Sequence, residues 1–249
     1  MRYVSSRNDQ SEISVSKAMI NGLSQDGGLY TPLIEENEKI NLQDLQDLSY
    51  RELSKKILSF FMTEFAEEEL EACIRKAYDD KFDDPDIVPL RKSSAVHFME
   101  LYHGPTSAFK DLALTLLPYL LKISYRKNGC NQTLVILTAT SGDTGKAALS
   151  AFADVENTAI TVLYPEVGVS DIQKKQMATS QGENVMVYAL KGNFDDCQSL
   201  VKTLTNAYKG KFEKVIVSSA NSINIGRLIP QVIYYYHAYL ELVKDHTIC

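Results

Sequence analysis

The chain has 249 residues, 45% apolar and 23% charged, with a net charge of −6, enough for one large domain or two smaller ones around ordinary soluble cores. The acidic balance argues against nucleic acid or an anionic membrane surface as a partner, and no apolar run approaches the length of a membrane span. Cys73, Cys130, Cys197 and Cys249 stand far apart, with no Cys-x-x-Cys pair and no ligand-spaced histidine beside them, so neither a metal site nor a disulfide framework is expected. With no apolar core in the Met1–Arg7 start, the default is a cytoplasmic protein with reduced thiols.

The first ninety residues have a mainly helical texture. Ser16 to Leu23 is a short helical pattern that stops at Gln25-Asp26-Gly27-Gly28, a strong turn signal. Ser49-Tyr50-Arg51-Glu52 is a capping box, and the helix behind it places Leu53, Ile57, Leu58 and Phe61 on one face. Leu70, Cys73, Ile74 and Ala77 repeat that spacing in an acidic helix starting near Thr63. Asp83-Asp84-Pro85-Asp86 breaks the pattern, and Ile87-Val88-Pro89-Leu90 is expected to be extended. We place a boundary near residue 95, between an N-terminal module (1–95) and an α/β region (96–249).

Beyond it, strand and helix patterns alternate, as in a mostly parallel sheet flanked by helices. Val96 to Leu101 is a candidate strand leading into His103-Gly104-Pro105-Thr106-Ser107-Ala108-Phe109-Lys110-Asp111. Lys110 then opens a long apolar helix through Leu112, Leu116, Leu120 and Ile123. A cation is disfavoured in a helix's first turn by up to about 1 kcal/mol. Desolvation at the mouth of a buried helix would favour the neutral amine, the form that makes a Schiff base. A lysine that snorkels to solvent explains the same residues more plainly.

Thr133 to Thr138 is a near-continuous apolar strand of the kind buried on both faces. It runs into Thr140-Ser141-Gly142-Asp143-Thr144-Gly145-Lys146, where small residues and three hydroxyls precede a helix. That pattern suits either an anion site or a tight capped turn. It is not a nucleotide P-loop, because only Asp143 and Thr144 separate the glycines. Further strands are expected at 158–163, 185–190 and 215–218. Lys174-Lys175, near a helix start, is a solvated pair before it is a phosphate contact. The last strand ends in Ser218 to Arg227, a loop holding Asn221, Asn224 and Arg227. Amide and guanidinium groups at a strand's carboxyl end suit a polar ligand, although helix capping accounts for them too. Tyr234, Tyr235, Tyr236 and Tyr239 fall within a helical pattern of Ile229, Val232, Ile233, Tyr236, Leu240 and Val243, which favours core packing over base stacking.

Five stretches together carry a resemblance: Asp26 to Pro32, His103 to Asp111, Thr140 to Gly145, Ile172 to Met177, and Asn221 to Asn224. The chain resembles, over essentially its whole length, the threonine synthases of the longer bacterial and fungal type, within the fold-type II pyridoxal-phosphate enzymes. The resemblance implies a tryptophan-synthase-β-like fold and conversion of O-phosphohomoserine and water to threonine and phosphate. Lys110 would hold pyridoxal 5'-phosphate as a Schiff base and then act as a general base. Asp143 and Asn221 would contact the cofactor. Thr140, Ser141, Thr144 and Asn224 would bind the substrate, with Arg227 and Lys174 at the leaving phosphate. Members of the family are roughly twice as long, with a later glycine-rich loop for the cofactor phosphate. The expectation is therefore an N-terminal portion of the fold that binds cofactor weakly and turns over little. Another lyase of the same fold group, a dehydratase or phospho-lyase, and a non-catalytic relic serving as a binding subunit are the alternatives.

Overall fold

The computed structural model describes residues 1–7, 11–36, 38–208 and 211–244; Cys249 and the adjoining C-terminal residues lie outside them. Strand β1 (Arg2–Ser5) pairs antiparallel with β2 (Tyr30–Leu33). Between them runs α1 (Val15–Asn21), capped by the Ser14 side chain, which accepts from the Lys17 amide. In α2 (Tyr50–Phe61) the expected capping box is formed in both directions, and Leu53, Ile57 and Leu58 are buried. Helix α3 (Glu67–Ala77) begins later than the pattern from Thr63 implies. The Phe65 amide closes a separate turn on the Met62 carbonyl, and Glu67, Glu68 and Glu69 then fill the first helical turn, where the dipole favours anions.

Two expectations near the boundary are corrected. Ile87 is not extended: its φ is 65°, and the Ile87 amide closes a turn on Asp84. The segment at Val96 does not join the main sheet. Instead β3 (Leu90–Ser93) and β4 (Val96–Met99) form a separate antiparallel hairpin turning at Ser94, φ 57°.

The long helix expected after Lys110 is two pieces, α4 (Asp111–Leu114) and α5 (Leu117–Lys127). Pro118 is the cause: it has no amide to donate, and its ring clashes with the carbonyl four residues back. Placed in the first turn of α5, it costs little. Leu112, Leu114, Leu116, Leu117, Leu120 and Leu121 are each at most 1% exposed. At roughly 1.5–3 kcal/mol per buried leucine, their packing holds both pieces against the core. Sequence gives the burial correctly and misses the break.

The remaining elements alternate: β5 (Thr133–Ala139), α6 (Asp143–Phe152), β6 (Thr158–Pro165), α7 (Asp171–Ala178), β7 (Val185–Leu190), α8 (Phe194–Tyr208), β8 (Val215–Ser218) and α9 (Ile225–Lys244). The four strands form a parallel sheet in the order β7-β6-β5-β8. Leu137, Ala139 and Leu163 pack with Cys197 and Val201 of α8. Ile136, Ile160 and Val162 belong instead to the cluster holding Ala147, Ala148 and Phe152 of α6. Burial on both faces explains the unbroken apolar run of β5.

That second cluster is continuous from Tyr3, Met19, Leu53 and Tyr78 to Leu117, Ile229 and Leu240. It thus includes residues on both sides of position 95. Buried Tyr78 donates its hydroxyl to the Leu112 carbonyl at 2.8 Å, tying the first ninety residues to the turn after Lys110. In α9, Tyr234 is the buried tyrosine, Tyr236 is half-buried, and Tyr235 is 65% exposed. No described helix is long and apolar enough to cross a membrane.

Candidate active site

From β5 the chain steps outward to β6 and β7, then returns to set β8 on the other side of β5. Strand order therefore reverses at the β5–β8 pair, and open parallel sheets bind ligands at such a reversal, outside the carboxyl ends of the strands. The loops after β5 (Thr140–Gly142) and after β8 (Ser219–Asn224) leave the sheet there.

Lys110 comes to the crevice from the turn before α4. Its Nζ lies 3.6 Å from Asp143 Oδ2 at the start of α6 and 4.4 Å from the Phe109 ring centroid. The side chain is 21% exposed. The amine is therefore partnered by a carboxylate, and is not sealed in the apolar mouth expected from the sequence. Asp143 is held from its other oxygen: Gln173 of α7 donates Nε2 to Oδ1 at 2.7 Å. A positioned amine, a carboxylate and an amide thus form one line across two helix starts.

The turn that presents Lys110 is wound around the next residue. Asp111, 1% exposed, accepts from the Thr106 hydroxyl at 2.6 Å and the Thr106 amide at 2.8 Å. Burial raises the Asp111 carboxyl above its usual range, and these bonds work against that shift. Gly104 is required beside it, since a Cβ there would stand 2.5 Å from Asp111 Cβ.

His103 anchors the turn's other end, with Nδ1 2.6 Å from Asp83 and Nε2 2.9 Å from Glu100. Burial disfavours the charged ring, but the two carboxylates outweigh it and the pKa is raised. The protonated ring therefore stabilises the fold fully below its unfolded value of about 6.5, and this contribution fades as pH rises through the raised folded value. Urea unfolding of His103→Gln beside the parent is expected to show a stability gap at pH 6 that narrows as pH rises; a gap constant across that range would contradict this.

The β5 loop is built around Thr140. Its buried hydroxyl accepts from the Gly142 and Gly145 amides at 3.0 and 2.9 Å and donates to the Gly142 carbonyl. Thr140, expected to bind substrate, has its hydrogen-bonding capacity committed inside the loop. Ser141 and Thr144 make no side-chain hydrogen bond among the described residues. Gly142 has φ 148° and ψ −94°, and a Cβ there would lie within 2.4–2.5 Å of the Gln173 amide. Gly142→Ala is expected to cost about 2 kcal/mol and to dislodge Gln173 from Asp143; denaturant titration reads the first effect.

In the β8 loop, Asn224 is also turned inward. It is 0% exposed, donates to the Met19 carbonyl at 2.8 Å and accepts from the Gly226 amide at 2.9 Å. Both polar atoms of the amide expected at the substrate are thus engaged within the fold. Arg227, 2% exposed, donates to the Ala220 carbonyl while its Nε has no partner among the described residues; burial pushes its pKa down to about 10. Asn221 and Lys174 are half-buried, and their side chains make no hydrogen bond or ion pair among the described residues. Gln173 and Asp111 were missed as site residues. Both lie in stretches singled out from the sequence, but nothing in their spacing marks an amide or a buried carboxylate as the brace.

Residues 2–78 match the family described as Threonine synthase N terminus, and residues 86–245 that described as Pyridoxal-phosphate dependent enzyme. A Pseudomonas aeruginosa threonine synthase is 36% identical over 99% of this chain and 52% of its own length. A human protein named threonine synthase-like 1 is 38% identical over 92% of this chain and 33% of its own. Among solved structures, PLP-bound threonine synthase from Brucella melitensis superposes with a TM-score of 0.87 at 37% identity, covering 97% of this chain and 52% of that one. Yeast threonine synthase gives 0.86 at 32%, covering 98% and 50%. The chain spans about half the length of the curated threonine synthases it matches.

Proposed function

Because the chain belongs to the threonine synthase family of pyridoxal-phosphate-dependent enzymes, we infer that it uses pyridoxal phosphate to convert O-phosphohomoserine and water to threonine and phosphate. The observation that carries this is the Lys110 amine facing Asp143 across the crevice where strand order reverses. The donor set fits the cofactor: an amine for its aldehyde, a braced carboxylate, and unengaged amide and hydroxyl groups on the two flanking loops.

When bound, pyridoxal phosphate supplies an electron-accepting ring that stabilises negative charge on substrate carbons. Lys110 would hold it, and the Lys110 amine would move protons at the substrate's Cα and Cβ. Asp143, held by Gln173, and Asn221 would contact the cofactor. Ser141 and Thr144 donate to the substrate carboxylate, and Lys174 and Arg227 face the phosphate. Thr140 and Asn224 set the shape of the two loops. The buried, unpaired thiols of Cys73 and Cys197 accord with a cytoplasmic location.

The test is titration of pyridoxal-phosphate-loaded protein with O-phosphohomoserine, serine and threonine, reading cofactor absorbance and released phosphate. We expect O-phosphohomoserine to perturb the spectrum at the lowest concentration. A response to serine or threonine with none to O-phosphohomoserine would replace this reading with a dehydratase.

A further inference from the structure

The carboxylate that meets Lys110 is steered from a neighbouring helix. Asp143 stands in the first turn of α6; Oδ1 accepts from Gln173 Nε2 at 2.7 Å, and Oδ2 is left 3.6 Å from the Lys110 amine. The last torsion of an aspartate is broad and two-fold, so without that donor neither oxygen is reserved for the amine.

An amide can brace a carboxylate from only one of its ends. Its NH2 group donates, whereas its carbonyl oxygen would set acceptor against acceptor. What decides the sense of the Gln173 amide is Ser170, the N-cap of α7. The Ser170 hydroxyl donates to Gln173 Oε1 at 3.0 Å, and its oxygen accepts from the Gln173 backbone amide at 3.3 Å. The helix cap thus fixes the hydroxyl, and the hydroxyl fixes the side chain. On the third side stands Gly142, where a Cβ would fall on the atoms of the Gln173 amide. The amide occupies the space of a missing side chain and has little room to turn over.

The charged groups around this line are Asp143 and Lys146 on α6, Lys110 before α4, and Asp171 and Lys174 on α7 itself. Of the cations among them, Lys110 alone forms an ion pair with Asp143 among the described residues.

We propose that Ser170 and Gln173 are a positioning pair for the Lys110 amine: the Ser170 hydroxyl sets which end of the Gln173 amide faces α6, and that end holds Asp143 with one oxygen kept for Lys110. The role in the reaction rests on the reading of Lys110 as the cofactor lysine. The geometry does not.

Two labels, read at Lys110 by peptide mass spectrometry on the 249-residue protein, test it: acetic anhydride without cofactor, and pyridoxal phosphate trapped with borohydride. In Gln173→Leu, checked for native melting, the amine loses its carboxylate partner and acetylates about two- to fivefold faster. Pyridoxyl labelling falls about tenfold, because Asp143 is no longer placed for the cofactor; a general loosening of the turn would move both labels the same way. Ser170→Asp still caps the helix, but it draws Gln173 Nε2 to itself and presents Oε1 to Asp143, so both labels shift as in Gln173→Leu. Ser170→Thr keeps donor and cap and matches the parent. In Gln173→Glu, pyridoxyl labelling relative to the parent recovers as pH falls from about 8.5 to about 6, since a carboxyl crowded against Asp143 takes up a proton in that range and then donates as the amide does. Gln173→Leu shows no such recovery, and Gln176→Glu, at an exposed position of the same helix, follows the parent at every pH.

Parent-rate acetylation of Lys110 in both Gln173→Leu and Ser170→Asp overturns the proposal, as does a Gln173→Glu protein that tracks Gln173→Leu at every pH. Altered acetylation in a protein whose Lys110 takes no pyridoxyl label supports the pair's hold on Asp143 and removes the cofactor reading instead.

Discussion

Lys110→Ala is expected to abolish the borohydride-trapped pyridoxyl label on the peptide that follows His103, and with it the fast absorbance change on cofactor addition. Every lysine can react slowly with the aldehyde, so position rather than intrinsic reactivity must create selectivity. Lys110 is fixed at both ends of its turn: His103 is clasped by Asp83 and Glu100, and Asp111 gathers the Thr106 backbone and hydroxyl. Its amine is aimed at Asp143, which Gln173 holds in turn. Such preorganisation corresponds to effective molarities far above that of a free surface amine. Label on Lys110 should therefore exceed that on any other lysine by about two orders of magnitude, read by peptide mass spectrometry. Equal labelling across surface lysines, or label that survives at the same level in Lys110→Ala, would sink the cofactor assignment.

Asn224→Ala should produce the largest loss of stability, about 3 kcal/mol. The amide joins the Met19 carbonyl at the end of α1 to the Gly226 amide at the start of α9, with no exposure to solvent. Truncation leaves two buried backbone groups without partners, each costing about 1–3 kcal/mol. Against a total of about 5–15 kcal/mol, that is a serious fraction, and in a chain of this size it lowers Tm by roughly 6–12 °C. Asn224→Asp should be no better, because it keeps an acceptor, loses the donor and buries a charge. A loss below about 1 kcal/mol in urea titration would show that water replaces the amide, and that the loop is more open than the buried geometry implies.

Strand β5 and the alternation that follows it were legible, because burial on both faces demands a continuous apolar run, which turn residues and helix-spaced patterns then interrupt. The hairpin of β3 and β4 was not. Its two-residue turn is Ser94-Ala95, with none of the Asn-Gly chemistry that usually announces such turns. The same limit applies at the crevice. Composition located the hydroxyl-rich loop and the amide-rich loop correctly, and the reversal of strand order brings them to one edge. Which hydroxyl turns inward is decided by tertiary packing: Thr140 is consumed by two amides, while Ser141 and Thr144 remain unengaged. A lone asparagine also reads identically whether it meets a ligand or, like Asn224, a carbonyl from the opposite end of the chain.

That last contact spans 205 residues, and its consequence lies in the order of folding. Closing a loop of that length costs about 3 kcal/mol more than closing a ten-residue one, so this contact forms late, after α1 has met α5. At about 5–20 residues per second of synthesis, some 10–40 seconds separate the emergence of Met19 from that of Asn224. Throughout that interval the apolar faces of α1 and α2 lack the α9 surface they pack against. The nascent chain therefore presents sticky helices while it waits, and its yield in the cell should depend more on how those faces are shielded than on the final free energy of the folded protein.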